Sequence, residues 1–119
     1  MKYTTKATDI ELSVSVEEYV AKKMASLDKI TAHFGGHSAA HVELARTTRH
    51  HRSGDVFRAE LQLHVKGRDV RAEAVGETIF EAMDKAQEDI RTELERLKEK
   101  SVDSVKTGGR AIKKLLKGE

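Results

Sequence analysis

Cysteine and proline are both absent from this 119-residue chain. Without a thiol there is no disulfide framework, no cysteine nucleophile and no cysteine zinc site, which suits a reducing cytoplasm. No repeat or low-complexity tract interrupts the chain. No run approaches the roughly 18 consecutive apolar residues of a membrane-spanning helix, and the opening "MKYTTKATDIELS" lacks the apolar block of a signal peptide. A membrane partner is therefore not expected. Glycine-rich phosphate loops are missing too, because "FGGH" has neither the Lys-Ser/Thr nor the flanking glycine spacing.

What is present fits one small domain with a modest core and a large wet surface: 38% of residues are hydrophobic and 35% charged. The net charge is only +2, yet the charge is unevenly spread. Residues 36–71 carry seven Lys/Arg against four Asp/Glu, residues 72–100 five against nine, and residues 101–119 five against two. Local basic patches on a nearly neutral chain favour a polyanion bound in a defined pose.

Periodicity supplies the elements. Residues 2–7 alternate weakly and read as a first strand. Ser15 and Glu18 then stand at capping-box spacing ahead of a stripe of Tyr19 or Val20, Met24, Leu27 and Ile30, a helix expected to end near His33 before Gly35-Gly36. Residues 40–47, 56–66 and 69–75 read as three strands. The middle one is the clearest, with Phe57, Ala59, Leu61, Leu63 and Val65 alternating with polar residues. Thr78 and Glu81 form a second capping-box candidate. Ile79, Met83, Ala86, Ile90, Leu94 and Leu97 then mark an amphipathic helix over about 78–100. The expected fold is α+β, in the order β-α-β-β-β-α: a four-stranded mixed sheet with a parallel first pair, an antiparallel meander, and both helices packed on its one apolar face. Residues 1–100 form the domain. Residues 101–119 read as a basic, flexible tail whose "RAIKKLLK" can become an amphipathic turn on an anionic surface.

Candidate chemistry narrows quickly. His33, His37 and His41 are four apart, but Gly35-Gly36 interrupts them and His41 falls in a strand, so helical metal-ligand geometry is not available. Carboxylates such as Glu88, Asp89, Glu93 and Glu95 lie on a solvated helix, with no partner that marks an acid/base site. No enzyme, cofactor, metal or small-molecule substrate is expected. Nucleic-acid contact remains. Arg46, Arg49, Arg52, Arg58, Arg68 and Arg71, with His50 and His51, come from neighbouring strands and turns that can converge. Residues 46–71 hold six arginines and one lysine, a bias toward bidentate phosphate grip. The blander reading is that these arginines pair with Glu60, Asp69 or Glu73 on an open sheet face. The stretch "RTTRHHRSGD" itself reads as a β-hairpin loop, with Ser53-Gly54-Asp55 as its turn.

The element order, the segment "VEEYVAKKMASLDKI" and the segment "VRAEAVGETIFEAMDKAQEDIRTELERLKEK" resemble the ribosome hibernation-promoting factor family, also called ribosome-associated inhibitors or ribosomal subunit interface proteins, over residues 1–100. The resemblance implies a cytoplasmic protein that sits on the small (30S) ribosomal subunit, alone or within the 70S ribosome, in the channel for messenger and transfer RNA. There it blocks initiation and preserves idle ribosomes in stress or stationary phase. It implies that basic residues of both helices grip ribosomal RNA: Lys22, Lys23 and Lys29 on the first, Arg91, Arg96 and Lys98 on the second, with Lys100 nearby. Ser26 stands where a lysine is common, and Asp89 and Glu93 make the second helix more acidic than usual. The hairpin cluster at 46–52 is then expected to supply the missing positive charge. Only 19 residues follow Lys100, so the chain resembles the short type, without a C-terminal dimerisation domain.

Three other functions fit parts of the pattern. A double-stranded-RNA module shares the helix–three strands–helix core, but would carry lysines at the start of its last helix, where this chain reads "GETIFEA". A protein-interaction module would pair through the open sheet face or the last helix. A histidine metal module ranks third.

Overall fold

The structure is a computed structural model that describes residues 1–35, 38–47 and 56–117, with side chains through residue 100. Its elements run β1 (Lys2–Thr8), α1 (Val14–Ala25), α2 (Asp28–Ala32), β2 (Ala39–Arg46), β3 (Phe57–Val65), β4 (Arg68–Gly76) and α3 (Ile79–Lys117). The four strands form one sheet in the order β1-β2-β3-β4. β1 pairs with β2 in parallel, and the other two pairs are antiparallel. The α+β architecture and strand order agree with the sequence reading.

Strand alternation sets two unlike faces. Val42 faces Leu61, which faces Ala72, along one row of the inner side. These join Val16, Val20, Met24 and Leu27 from the first helical segment and Met83, Ala86, Ile90 and Leu94 from α3 in a single core. Leu27, Leu44, Leu61, Leu63, Ile90 and Leu94 are fully buried, each worth about 1.5–3 kcal/mol of transfer free energy. Among the described residues, no helix of the core packs on the outer face of the sheet.

Local chemistry moves several expected boundaries. Ser13, not Ser15, caps α1: its Oγ accepts from the Val16 N–H at 3.3 Å, while the Ser15 hydroxyl lies 3.1 Å from that of Ser13. The first helix is also broken at Ser26-Leu27 into α1 and α2. The second piece closes at His33, followed by Gly35 at a left-handed φ of 63°, a conformation glycine adopts without strain. Lys66 and Gly67 take positive φ in the two-residue β3–β4 turn, the backbone twist such hairpins require. At the head of α3, Thr78 Oγ1 accepts from the Glu81 N–H at 3.0 Å, and the Glu81 carboxylate accepts from the Glu77 N–H at 3.3 Å. The capping chemistry expected at 78 is present, with Glu77 as the reciprocal donor.

α3 continues to Lys117, past the end expected near 100, with no proline in its path to stop it. The reading of 101–119 as a flexible basic tail concerns side chains that lie outside the described residues.

Candidate nucleic-acid interface

Of the arginines read as convergent from the sequence, the fold sets Arg46 and Arg68 apart. Arg46 pairs with Phe57 at one end of β3, and Arg68 pairs with Val65 at the other, which puts them roughly 26 Å apart along the sheet. Arg46 is exposed, with its guanidinium 5.9 Å from the Phe57 ring centre. The Thr47 N–H donates to the Val56 carbonyl at 2.6 Å, so the stem of the expected hairpin is in place. Arg49, His50, His51 and Arg52 lie outside the described residues.

Arg58 and Arg71 do meet, on the open face, but among carboxylates. Arg58 reaches Glu43 at 2.7 Å and Glu60 at 3.5 Å, and Arg71 reaches Glu60 at 2.6 Å and Glu73 at 3.5 Å. The hydrogen bond to Glu60 raises the Arg71 guanidinium above its ordinary value. The pairing that the sequence offered as the blander reading is therefore the observed one for Glu60 and Glu73, while Asp69 meets His64 instead. Nearby, the His41 Nδ1 lies 2.7 Å from Thr4 Oγ1, and the His64 Nδ1 2.8 Å from Asp69 Oδ1. Among the described residues no cluster of three or more His, Asp or Glu is arranged to hold a metal ion.

The helix layer, on the other side of the sheet, holds the remaining candidates. Among the described residues, side-chain cross-links at three levels join α1 and the turn after it to α3. The Tyr19 ring stands edge-on to Phe80 at 4.9 Å, the Lys23 ammonium lies 2.8 Å from Asp84 Oδ1, and Gln87 Nε2 donates to Ser26 Oγ at 2.6 Å. The partners keep a constant sequence offset, so the two helices run parallel. Tyr19 also donates its hydroxyl to Asp84 Oδ1, and Lys23 sits 5.4 Å from the Tyr19 ring centre. The electrostatics agree. Burial pushes the Asp84 carboxyl up, but the hydrogen bonds from Lys23 and Tyr19 outweigh it and hold it below its ordinary value. The bond to Asp84 raises both Tyr19 and Lys23.

Lys23 is thus tied into the seam between the helices. Lys22 and Lys29 are exposed and have no ion pair among the described residues, as are Lys98 and Lys100 on α3. Arg91 lies 3.6 Å from Glu95, and Arg96 lies 2.9 Å from Glu93. These exposed pairs are weak and open to exchange with another anion.

The sequence reading missed the seam. Tyr19, Lys23 and Ser26, and likewise Phe80, Asp84 and Gln87, recur at helical spacing beside each apolar stripe. Two such mixed stripes with matching hydrogen-bonding partners are a signal of helix–helix contact that periodicity of apolar residues alone does not carry.

The sequence profile of the family described as "Sigma 54 modulation protein / S30EA ribosomal protein" matches residues 3–102. Among solved structures, the N-terminal domain of Protein Y from Thermus thermophilus superposes with a TM-score of 0.66 at 28% identity, covering 82% of this chain and 99% of that one. A ribosomal subunit interface protein from Coxiella burnetii gives a TM-score of 0.64 at 14% identity, with 82% and 98% covered. The second likeness is one of fold. No curated protein matches the chain in sequence.

Proposed function

The chain belongs to the sigma 54 modulation protein / S30EA ribosomal protein family, which is ribosome-associated, and from that premise we propose that it binds the small ribosomal subunit in the channel for messenger and transfer RNA and preserves idle ribosomes under stress. Residues 1–100 act as the ribosome-binding unit in this reading, with 101–119 as a basic extension. The partners are the 30S subunit, its ribosomal RNA and the 70S ribosome.

One observation supports it most. Lys22, Lys29, Lys98 and Lys100 are exposed on α1, α2 and α3 with no ion pair among the described residues, and α1 and α3 run parallel, cross-linked at three levels. Cations held on a rigid frame release counterions from phosphates without ordering the frame at the moment of binding. Arg91 and Arg96 lie on the same layer and can exchange Glu95 and Glu93 for phosphate, adding contact with little net counterion release. Arg49, His50, His51 and Arg52, which follow Arg46 in the sequence and lie outside the described residues, add to the contact set in this reading. Arg58 and Arg71, held by carboxylates on the opposite face, stay out of the contact set. No catalytic step is required, because occupancy of the channel is itself the inhibition.

Sedimentation of cell extract through a sucrose gradient tests this. The expected result is co-migration with 30S or 70S particles, lost as salt is raised. A protein that stays at the top of the gradient at low salt overturns it.

A further inference from the structure

Lys23 is one residue from the exposed Lys22 and four from Leu27, in the last turn of α1, and that neighbour makes it a candidate phosphate contact. Its surroundings say otherwise. The ammonium lies 2.8 Å from Asp84 Oδ1 and 5.4 Å from the centre of the Tyr19 ring, and the Tyr19 hydroxyl donates to that same carboxylate oxygen. The Lys23 side chain is 25% exposed and that of Asp84 46%. An anion approaching Lys23 is therefore opposed by the more exposed Asp84 carboxylate beside it. Tyr19 is held from its other side by Phe80, and one turn further on Gln87 donates to Ser26.

We infer that Asp84 is a positioning residue that withholds Lys23 from RNA: the Tyr19–Asp84–Lys23 clasp sets the spacing of the two helices and subtracts one cation from the phosphate-binding set. This rests on the function proposed above and refines its contact set to Lys22 and Lys29 on the first helical segment. The clasp exchanges a possible phosphate contact for a fixed distance between the helices. A frame with fixed spacing recognises phosphates at one separation, which is a source of selectivity for a folded RNA over a flexible one.

Four variants decide it, each measured in two ways: the salt dependence of binding to purified 30S subunits, and the salt needed for elution from heparin. Lys23→Met keeps the aliphatic stem and should leave the slope of log K against log salt as in the wild type. Lys22→Met, the control, should flatten it by about 0.7–0.9, one phosphate contact. Asp84→Asn retains an acceptor for Tyr19 and should steepen the slope by the same amount, about 0.7–0.9. Asp84→Glu, which keeps the carboxylate, should restore the wild-type slope. In the Lys23→Met background, Asp84→Asn should change neither the slope nor, beyond the loss of one repelling charge, the heparin elution.

Flattening by Lys23→Met, or an Asp84→Asn shift of equal size with and without Lys23, overturns the inference. If the wild type fails to bind 30S subunits, the functional reading falls, and the heparin comparison still decides the clasp. If Asp84→Asn does not fold, Lys23→Met against Lys22→Met remains decisive.

Discussion

Arg58 bonds diagonally across the open face of the sheet to Glu43, with 2.7 Å between Nη2 and Oε1. The direct partner of Glu43 is Glu60, and the direct partner of Glu60 is Glu73, so three carboxylates stand in one row across β2, β3 and β4. Like charges directly opposite each other destabilise a sheet. Arg58 offsets this by reaching all three, with Glu60 at 3.5 Å and Glu73 at 3.6 Å. Arg71 spans Glu60 and Glu73 from the far strand. A planar fork of donors can serve several carboxylates where an ammonium cannot.

Removing that fork should cost stability. Arg58→Met keeps the stem and leaves the row of three carboxylates short of one cation. The Arg58 side chain is 28% exposed, so screening is partial, and the expected loss is about 1–2 kcal/mol. Arg58→Lys should recover only part of it. Urea unfolding of the three proteins measures both differences, and an Arg58→Met midpoint equal to the wild type rules the arrangement out as a source of stability.

The same pair makes a pH prediction. The hydrogen bond from Arg58 holds the Glu43 carboxyl below its ordinary value of 4.5, against the opposing effect of burial. A carboxyl whose folded value is depressed contributes in full above its unfolded value and loses the contribution as pH falls through the folded one. The stability gap between wild type and Arg58→Met should therefore be constant above about pH 5 and narrow below 4.5. Tyr19 and Lys23 are raised above 10.0 and 10.5 by Asp84, so the alkaline side of the helix clasp has the opposite sign. Its contribution is full from about pH 5 to pH 10 and declines as pH rises through the folded Tyr19 and Lys23 values. The lowered Asp84 carboxyl adds an acid decline below its ordinary value of 3.8, and Asp84→Asn should remove both declines.

Much of this fold is legible in the chain because its core is built by alternation. β3 is one example: every second residue from Phe57 to Val65 is apolar and turns inward. The break at Ser26-Leu27 is not legible in the same way. Leu27 is fully buried on the stripe that an unbroken helix would present, so the apolar period runs through the interruption unchanged. The cap shows a second limit. Ser13 and Ser15 both precede the apolar stripe, and only the backbone geometry selects Ser13. At the candidate interface, composition identified the arginines, but their convergence depends on which strand ends they occupy. That is a property of register, and register placed Arg46 and Arg68 at opposite ends.

Two glycines should respond to alanine for different reasons. At Gly76, where β4 meets the first turn of α3, an added Cβ would lie 2.8 Å from the Ala82 backbone nitrogen and 3.0 Å from Glu81 Cβ. Backbone cannot yield as a side chain does, and Gly76→Ala should cost about 1–3 kcal/mol through overpacking. Gly67 faces open space but holds φ at 76°, so Gly67→Ala should cost about 1–2 kcal/mol through conformation alone. Asparagine tolerates that conformation. Gly67→Asn should therefore be milder than Gly67→Ala, whereas Gly76→Asn should be no better than Gly76→Ala. Thermal melts of the four variants separate crowding from strain.

The two faces of the sheet make different predictions for ribosome binding. Lys22 and Lys29 stand exposed on the helix side without an ion pair among the described residues. Arg58 and Arg71 stand on the other side, bonded to Glu43, Glu60 and Glu73. A cation already paired must give up its carboxylate to take a phosphate, so its net counterion release is close to zero. Replacing Lys22 and Lys29 together should flatten the salt dependence of 30S binding by about 1.4–1.8. Replacing Arg71 should leave it unchanged. The triple alanine variant of Arg46, Arg49 and Arg52 tests the 46–52 cluster: if it supplies the charge missing from α3, the variant should lose co-sedimentation at moderate salt, with a slope flatter by about 2–3. If instead Arg71→Ala flattens the slope and the lysine pair does not, RNA lies against the open sheet face, and the helix layer is the surface left for a protein partner.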